Sequence, residues 1–321
     1  MKRYLFRRIL SGILTILVVL GINFVIIKAA PGDPIRTLMG PENDDPVLRA
    51  ALTEKWGLDD PPLQQFAAYL TNALQGDLGT SIIYNRSVND MIWEKVGATV
   101  LLGFSSALLS LLIGTALGIV AAKREGSALD VLSSNISYTL NAMPSFWLGL
   151  MLIILFATQL KLFPSYGMTN ARADYQGFAY VLDVLHHMFL PALTLILVSI
   201  PQYFRIAKSS VLQVSNEDFI VALRATGMPE KKIFNKYIFR NAILPTITIF
   251  GISMAYLITG VSLIEIVFAW PGMGRLVLTA ITQRDYPTLQ GIYLVMSVSV
   301  AVMTLVVDIV YTLFDPRIRF N

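Results

Sequence analysis

The chain has 321 residues, of which 55% are hydrophobic and only 14% are charged, whereas a soluble domain carries roughly 25% charged residues. This composition excludes a soluble enzyme, a disordered chain and a collagen. The absence of cysteine from the sequence also excludes a disulfide scaffold, a thiolate metal site and a catalytic thiol. The net charge of +4 is too small and too scattered for a nucleic-acid partner, so we expect none.

Six long stretches contain no Asp, Glu, Lys, Arg or His. They cover residues 9–27, 96–122, 131–160, 188–204, 241–264 and 286–307. Each is close to the ~20 apolar residues that a helix needs to cross the hydrocarbon of a membrane. Only a helix satisfies all its backbone N–H and C=O groups within one such segment, where lipid offers no partner. We therefore predict an all-α membrane protein with about six transmembrane helices in a single domain, residues 1–321.

Four prolines lie within these stretches: Pro144, Pro191, Pro201 and Pro245. A proline inside a helix leaves a backbone carbonyl without its partner. Two interpretations remain open: the prolines kink helices that face other protein segments, or they mark helix ends.

The basic residues predict the orientation in the membrane. An even number of spans places both termini on one side, together with the loop 123–130 and the segment 205–240. This side carries the following basic residues outside those two segments: Lys2, Arg3, Arg7, Arg8, Arg317 and Arg319. Most acidic residues fall on the other side. Because basic residues are enriched in cytoplasmic loops, we expect both termini to be cytoplasmic.

Two polar segments are too long to be simple turns. Residues 29–98 carry Pro/Gly punctuation and the helical apolar spacing of Leu63, Phe66 and Leu70, which predicts a small helical extracytoplasmic insertion. Residues 205–240 form the second segment. In it, Ser215 or Asn216 is predicted to cap a short helix.

This short helix has clear start and stop signals. Glu217 and Asp218 fall in its first turn, where the helix dipole favours carboxylates. Gly227 can stop it in a left-handed conformation, and Pro229 fits the first turn of the next helix. About three turns are marginal alone in water, so the helix needs packing. Its apolar side chains are Phe219, Ile220, Ala222 and Leu223. Docking to a partner and lying on lipid headgroups both remain open.

Catalytic motifs are missing from the sequence. No G-x-x-x-x-G-K-[ST] phosphate cradle occurs, so an energy source would have to be another chain. His186-His187 is the only histidine pair and has no third ligand nearby in sequence, so we expect structural roles for both. We expect no catalytic residue, no cofactor and no metal in this chain.

One acidic residue lies at the edge of the fifth stretch. Glu265 falls in residues 264–270, whose aromatic and Pro-Gly content predicts an extracytoplasmic re-entrant turn. Charges at membrane depth are costly and often functional. We predict that Glu265, Trp270, Pro271 and Gly272 form a gate or a partner contact.

Residues 218–248 resemble the cytoplasmic loop of a known family, the inner-membrane permease subunits of ABC importers, in their oligopeptide, dipeptide and nickel branch. The resemblance rests on Ala222-Leu223-Arg224-Ala225-Thr226-Gly227 and Arg240-Asn241-Ala242-Ile243-Leu244-Pro245. Six more stretches are similar to family landmarks and occur in the same order: Pro31-Gly32-Asp33-Pro34, Gly76-Asp77-Leu78-Gly79-Thr80-Ser81, Pro144-Ser145-Phe146-Trp147, Glu265-Ile266-Val267-Phe268-Ala269-Trp270-Pro271-Gly272-Met273-Gly274, Arg284-Asp285-Tyr286-Pro287 and Asp315-Pro316-Arg317-Ile318-Arg319.

The resemblance implies a type I ABC importer permease fold in a bacterial or archaeal inner membrane. It implies that this chain forms half of a translocation path for di- or oligopeptides, with a second homologous permease chain as the other half. It also implies two cytoplasmic ATPase subunits that bind ATP and Mg²⁺, and an extracytoplasmic solute-binding protein. The short helix would then be the coupling helix, with these residues at the ATPase: Asp218, Phe219, Ala222, Leu223, Arg224, Ala225 and Gly227.

The sequence departs from the family pattern at three places. Pro245 lies later than in the general importer motif, although this resembles the peptide branch. Val221-Ala222-Leu223 stands where the general importer motif has Glu-Ala-Ala, and Thr226 stands where this branch usually has Lys. Two alternatives to a peptide importer remain: a permease for nickel or a nickel chelate, and an ion-gradient-driven secondary transporter. The second predicts inverted repeats and buried midplane charges, which we do not find in the sequence.

Overall fold

The computed structural model describes residues 2–29, 32–40, 45–170, 172–173, 175–257 and 261–314, and gives only the backbone for 2–6 and 308–314. Within these ranges the chain is nearly all helical, with one isolated antiparallel bridge between Thr80 and Ser87. The predicted all-α class is confirmed. Pro31 and the stretch Asp315-Pro316-Arg317-Ile318-Arg319 lie outside the described residues.

The helices follow one another along the chain with short connections. In order they are α1 (Lys2–Ala29), α2 (Pro34–Met39), α3 (Pro46–Lys55), α4 (Pro62–Leu74), α5 (Val88–Lys123), α6 (Ala128–Ala142), α7 (Ser145–Leu152), α8 (Gly177–Ser215), α9 (Asp218–Ala225), α10 (Glu230–Ile233), α11 (Phe239–Ala242), α12 (Leu244–Ala255), α13 (Ser262–Val267), α14 (Met273–Gln283) and α15 (Tyr286–Phe314). A π-helix, Ile153–Gln159, continues α7, and a second, Phe234–Ile238, joins α10 to α11.

Five helical segments among the described residues are long and apolar enough to cross a membrane. They are Arg7–Ala29, Val88–Lys123, Gly177–Ser215, Glu230–Ala255 and Tyr286–Val307. A sixth span results only if the pair Ala128–Ala142 and Ser145–Gln159, bent by 103°, counts as one. The predicted number of about six is thus confirmed, but the third stretch is not one continuous helix.

The predicted ends of the fourth and fifth spans are wrong. The fourth helix runs from Gly177 to Ser215, well beyond residues 188–204, and the fifth apolar segment is Glu230–Ala255 instead of 241–264. The prediction marked only charge-free residues, whereas helices extend past the hydrocarbon with charged side chains such as Lys208 and Lys232. Much of the predicted loop 205–240 is therefore the continuation of these two helices.

The four prolines divide between the two open interpretations. Pro144 directly precedes α7 at the 103° bend, and Pro245 lies in the first turn of α12. Pro144 thus marks a helix start, where the missing N–H costs little, whereas Pro245 lies within the helical segment Glu230–Ala255. Pro191 and Pro201 lie inside α8, which continues through both.

The chain divides into two compact units. Of the described residues, those in 2–99 and 271–305 form unit 1, and those in 100–270 and 306–314 form unit 2. The predicted insertion, residues 29–98, falls in unit 1 and contains the short helices α2, α3 and α4. Tyr69 of α4 donates a hydrogen bond to the Gln290 carbonyl at 2.9 Å, and burial raises the pKa of this phenol.

Candidate functional site

The predicted short helix is present as α9, between α8 and α10 in unit 2. Its N-cap is Glu217, with no side-chain capping bond, and Asn216 is the C-cap of α8. The predicted caps Ser215 and Asn216 are therefore wrong, because Ser215 is the last residue of α8 and Asn216 is its C-cap. Gly227 has φ +75°, a left-handed conformation that ends the segment as predicted.

One face of α9 is anchored on its own chain. Ile220 is fully buried in a cluster that we call the α9 platform, and the partly buried Leu223 packs against it. The platform consists of Ala122, Val211, Ile220, Ile233, Ile238 and Ala242. It joins the last turns of α5 and α8 to the start of the fifth apolar segment. This packing offsets the marginal stability of an isolated eight-residue helix.

Several other side chains of α9 are exposed. Phe219 is 44% exposed and Val221 is 55% exposed, and Asp218, Ala222 and Ala225 are also exposed. The sequence had suggested that Phe219, Ile220, Ala222 and Leu223 form one outward apolar surface. Ile220 is instead buried in the platform, while Leu223 is only partly buried against it, and its contact with an ATPase stays a prediction.

Arg224 binds within its own chain. Its Nε donates to Glu230 Oε1 at 2.7 Å, and its Nη1 donates to the Ser215 carbonyl at 3.2 Å. The arginine thereby ties the end of α8 to α9 and to the start of α10. A guanidinium that donates hydrogen bonds to the last carbonyls of a helix is also stabilised by the negative end of the helix dipole.

The residues predicted as a gate divide between the two units. Glu265 and Trp270 are fully buried in unit 2, where the Trp270 N–H donates to the Glu265 carbonyl at 2.8 Å. Pro271 and Gly272 belong to unit 1. There they line a cleft of about 310 Å³, whose other polar side chains include Arg86, Glu94 and Arg275.

Two landmark stretches meet at a buried carboxylate in unit 1 that sequence reasoning did not single out. Asp285 is fully buried. It accepts hydrogen bonds from Ser81 Oγ at 2.5 Å, from the Ile82 N–H at 3.1 Å and from Thr288 Oγ1 at 2.7 Å. The carboxylate thus holds the turn after residue 79 against the start of α15.

The first landmark joins the same region. Gly32 has φ +132°, a backbone conformation that L side chains rarely adopt, and the Arg284 guanidinium occupies the space beside it. Tyr286 donates a longer hydrogen bond to the Gly32 carbonyl, at 3.4 Å. Three landmarks that are distant in sequence therefore form one structural element of unit 1.

The two helices that contain parts of two other landmarks, α7 and α13, pack together in unit 2. Leu148 and Leu152 of α7 share a buried cluster with Ile264 and Phe268 of the α13 region. A Cβ at Gly149 would lie 3.2 Å from the Phe268 ring. After the bend that follows α6, α7 thus packs against the segment that contains Glu265.

A second ionic contact in unit 2 also escaped sequence reasoning. Lys208 of α8 binds Asp130 in the first turn of α6, and its Nζ lies 3.2 Å from Ser134 Oγ. The Asp130 side chain is only 8% exposed and that of Lys208 is 23% exposed. A charge-free criterion for spans discards such pairs, because it treats both residues as loop charges.

The two histidines contact neighbouring groups in unit 2. His187 Nδ1 lies 2.9 Å from the Asp183 carbonyl, and His186 Nε2 lies 3.0 Å from the Leu162 carbonyl. In the described part of the chain, no group of three or more His, Asp or Glu residues is arranged to hold a metal ion.

The chain matches a family model described as the binding-protein-dependent transport system inner membrane component over residues 114–320, and the N-terminal model of such membrane components over residues 1–103. The chain belongs to this family. It is a multi-pass membrane protein and a permease component of a transport system.

Relatives match along the whole chain. The oligopeptide transport system permease protein AppB of Bacillus subtilis is 37% identical over 321 residues, which cover 100% of both chains. The glutathione transport system permease protein GsiC of Salmonella typhimurium is 34% identical over 100% of both chains. The di/tripeptide transport system permease protein DppB of Pseudomonas aeruginosa is 33% identical over 93% of both.

A solved structure shares the fold. An inward-facing structure of the MetNI methionine ABC transporter has a chain that aligns with a TM-score of 0.54 at 16% identity, covering 70% of this chain and 96% of that one. The predicted type I ABC importer permease fold is confirmed.

Proposed function

We propose that this chain is a permease subunit of an ATP-driven importer and forms half of a translocation path for di- or oligopeptides. The observation that carries the proposal is α9. Ile220 fixes the helix to the platform, while Phe219 and Val221 stay exposed. A helix that is anchored on its own chain and exposes apolar side chains suits transmission of force from a docked partner.

The partners follow from what this chain lacks. Its sequence has no phosphate cradle, so two cytoplasmic ATPase subunits would bind ATP and Mg²⁺ and grip α9. A second, homologous permease would complete the path, and a solute-binding protein would deliver the substrate from outside. This arrangement places both termini and α9 in the cytoplasm, in agreement with the basic residues near them.

Peptide is favoured as the substrate because relatives that match along the whole chain are named for oligopeptides, di- and tripeptides and glutathione. We expect the purified complete complex in proteoliposomes to take up labelled di- or oligopeptides only with ATP inside and the binding protein outside. Nickel uptake without peptide uptake would contradict the peptide assignment. Uptake by this chain alone, driven by an ion gradient, would contradict the importer proposal.

The exposed face of α9 provides a direct test of docking. Replacing Phe219 with Glu puts a charge where we expect an apolar contact with the ATPase, and burying an unpaired carboxylate is costly. We expect Phe219→Glu to weaken association with the ATPase subunits about tenfold or more. The measurement is the amount of ATPase that co-purifies with the permease at several salt concentrations.

Leu63→Glu is the matched control. Leu63 is also an exposed apolar residue, 83% exposed, but it lies on α4 in the predicted extracytoplasmic insertion. Its variant should co-purify with as much ATPase as the unmodified chain. Equal loss of ATPase in both variants, or in neither, would show that α9 is not the docking element.

A further inference from the structure

The ion pair Asp130–Lys208 connects α6 to α8 in unit 2. Lys208 lies on α8 two turns before Ser215, the residue whose carbonyl accepts a hydrogen bond from Arg224 of the α9 segment. Asp130 lies in the first turn of α6, next to the short turn that follows α5. The end of α8 is therefore tied on one side to α9 and on the other to α6.

The Asp130 carboxylate is held on several sides. Besides Lys208 it accepts hydrogen bonds from the Gly126 N–H at 3.1 Å and from Ser134 Oγ at 3.3 Å. Because the carboxylate is almost fully buried, a loss of Lys208 leaves a charge that water cannot solvate. Separation of α6 from α8 at this point is therefore expensive, and the two helix ends should move together.

Motion of α6 reaches the rest of unit 2 through the bend. The helix ends at Ala142, and after the 103° bend α7 packs on α8 and on Ile264 and Phe268. A displacement of α9 would thus pass through Arg224 to α8, through Lys208 to α6, and from α6 to the segment that carries Glu265.

We propose that Asp130 and Lys208 are positioning residues that couple α9 to α6 and α7, so that ATP hydrolysis is converted into substrate movement. This inference rests on the proposed function. It predicts a specific defect in which the complex assembles and hydrolyses ATP but transports less substrate for each ATP consumed. A purely structural pair would instead lower transport and hydrolysis in proportion.

The test measures substrate transported per ATP hydrolysed by the complete complex in proteoliposomes. The main variant is the double Asp130→Asn/Lys208→Met, which removes the pair without leaving an unpaired buried charge. We expect its ratio to fall by about threefold or more. The conservative variant Lys208→Arg keeps the pair and should keep the ratio. Arg49→Met, which breaks the more exposed Arg49–Asp33 pair of unit 1, should also keep it.

The outcomes separate this inference from the function on which it rests. An unmodified complex without ATP-dependent uptake would defeat the proposed function itself. A normally coupled unmodified complex with an unchanged ratio in the double variant would overturn only the role of the pair. Failure of the double variant to assemble would also overturn it, since the pair would then be an element of folding.

Discussion

Alanine at position 285 is expected to lower the thermal midpoint of the purified protein by about 5 °C or more. The substitution removes the acceptor of three buried donors, Ser81 Oγ, the Ile82 N–H and Thr288 Oγ1. Each buried donor without a partner costs roughly 1–3 kcal/mol, so the total loss should be about 3 kcal/mol or more. The measurement is loss of the monodisperse size-exclusion peak after heating in detergent.

Two variants make this expectation specific to the network. Asp77→Ala removes an exposed carboxylate of the same unit, which among the described residues accepts the Gly79 N–H alone, and it should shift the midpoint little. Asp285→Asn keeps one oxygen acceptor and should lie between the two. If Asp285→Ala were as stable as Asp77→Ala, the carboxylate would not be what holds the residue 81 turn to α15.

Gly118→Ala should have the second largest effect on stability. It should destabilise the protein, although alanine has a higher helix propensity than glycine. A Cβ on Gly118 of α5 would lie 2.5 Å from the Phe204 carbonyl and 3.0 Å from the Ala207 Cβ on α8. The contact is with backbone, so the two helices must move apart. Overpacking of this kind costs roughly 1–3 kcal/mol. The thermal midpoint in detergent should fall accordingly.

Gly97→Ala is the matched control on the same helix. A Cβ at Gly97 would meet no atom within 4 Å, so alanine there should be neutral or stabilise α5 by up to about 1 kcal/mol. Replacing glycine with alanine is thus expected to lower stability at position 118 and to leave it unchanged or raise it at position 97, although both positions lie on α5. A midpoint for Gly118→Ala equal to or above that of Gly97→Ala would show that α5 and α8 do not approach each other this closely.

Much of the helical framework could be predicted from the sequence. Charge-free runs identified the five apolar helical segments and the broken third one, because exclusion of charge from lipid acts on each segment separately. The stop signal Gly227 also placed the end of α9. The ends of α8 and of the fifth segment were wrong, because a helix continues past the membrane wherever capping and packing allow.

The face of α9 illustrates the limit of sequence reasoning for the candidate site. The sequence suggested that Phe219, Ile220, Ala222 and Leu223 offer one partly apolar surface to a partner. In the structure Ile220 is buried in the platform and Leu223 packs against it. The choice depends on Val211, Ile233 and Ile238, which meet only when α8 and the π-helical turn after α10 pack together. Glu265 likewise looked available for a contact but is fully buried.

The sequence alone determined that this is a helical membrane protein and that it carries no phosphate-binding motif. These properties follow from charge-free runs and from local motifs. Only the tertiary structure decided which polar groups pair inside it. Ser81 and Asp285 are 204 residues apart in sequence, and Asp130 and Lys208 are 78 residues apart. Such partners are selected by the cost of burying a charge without a counterpart, and that cost exists only after the helices have packed.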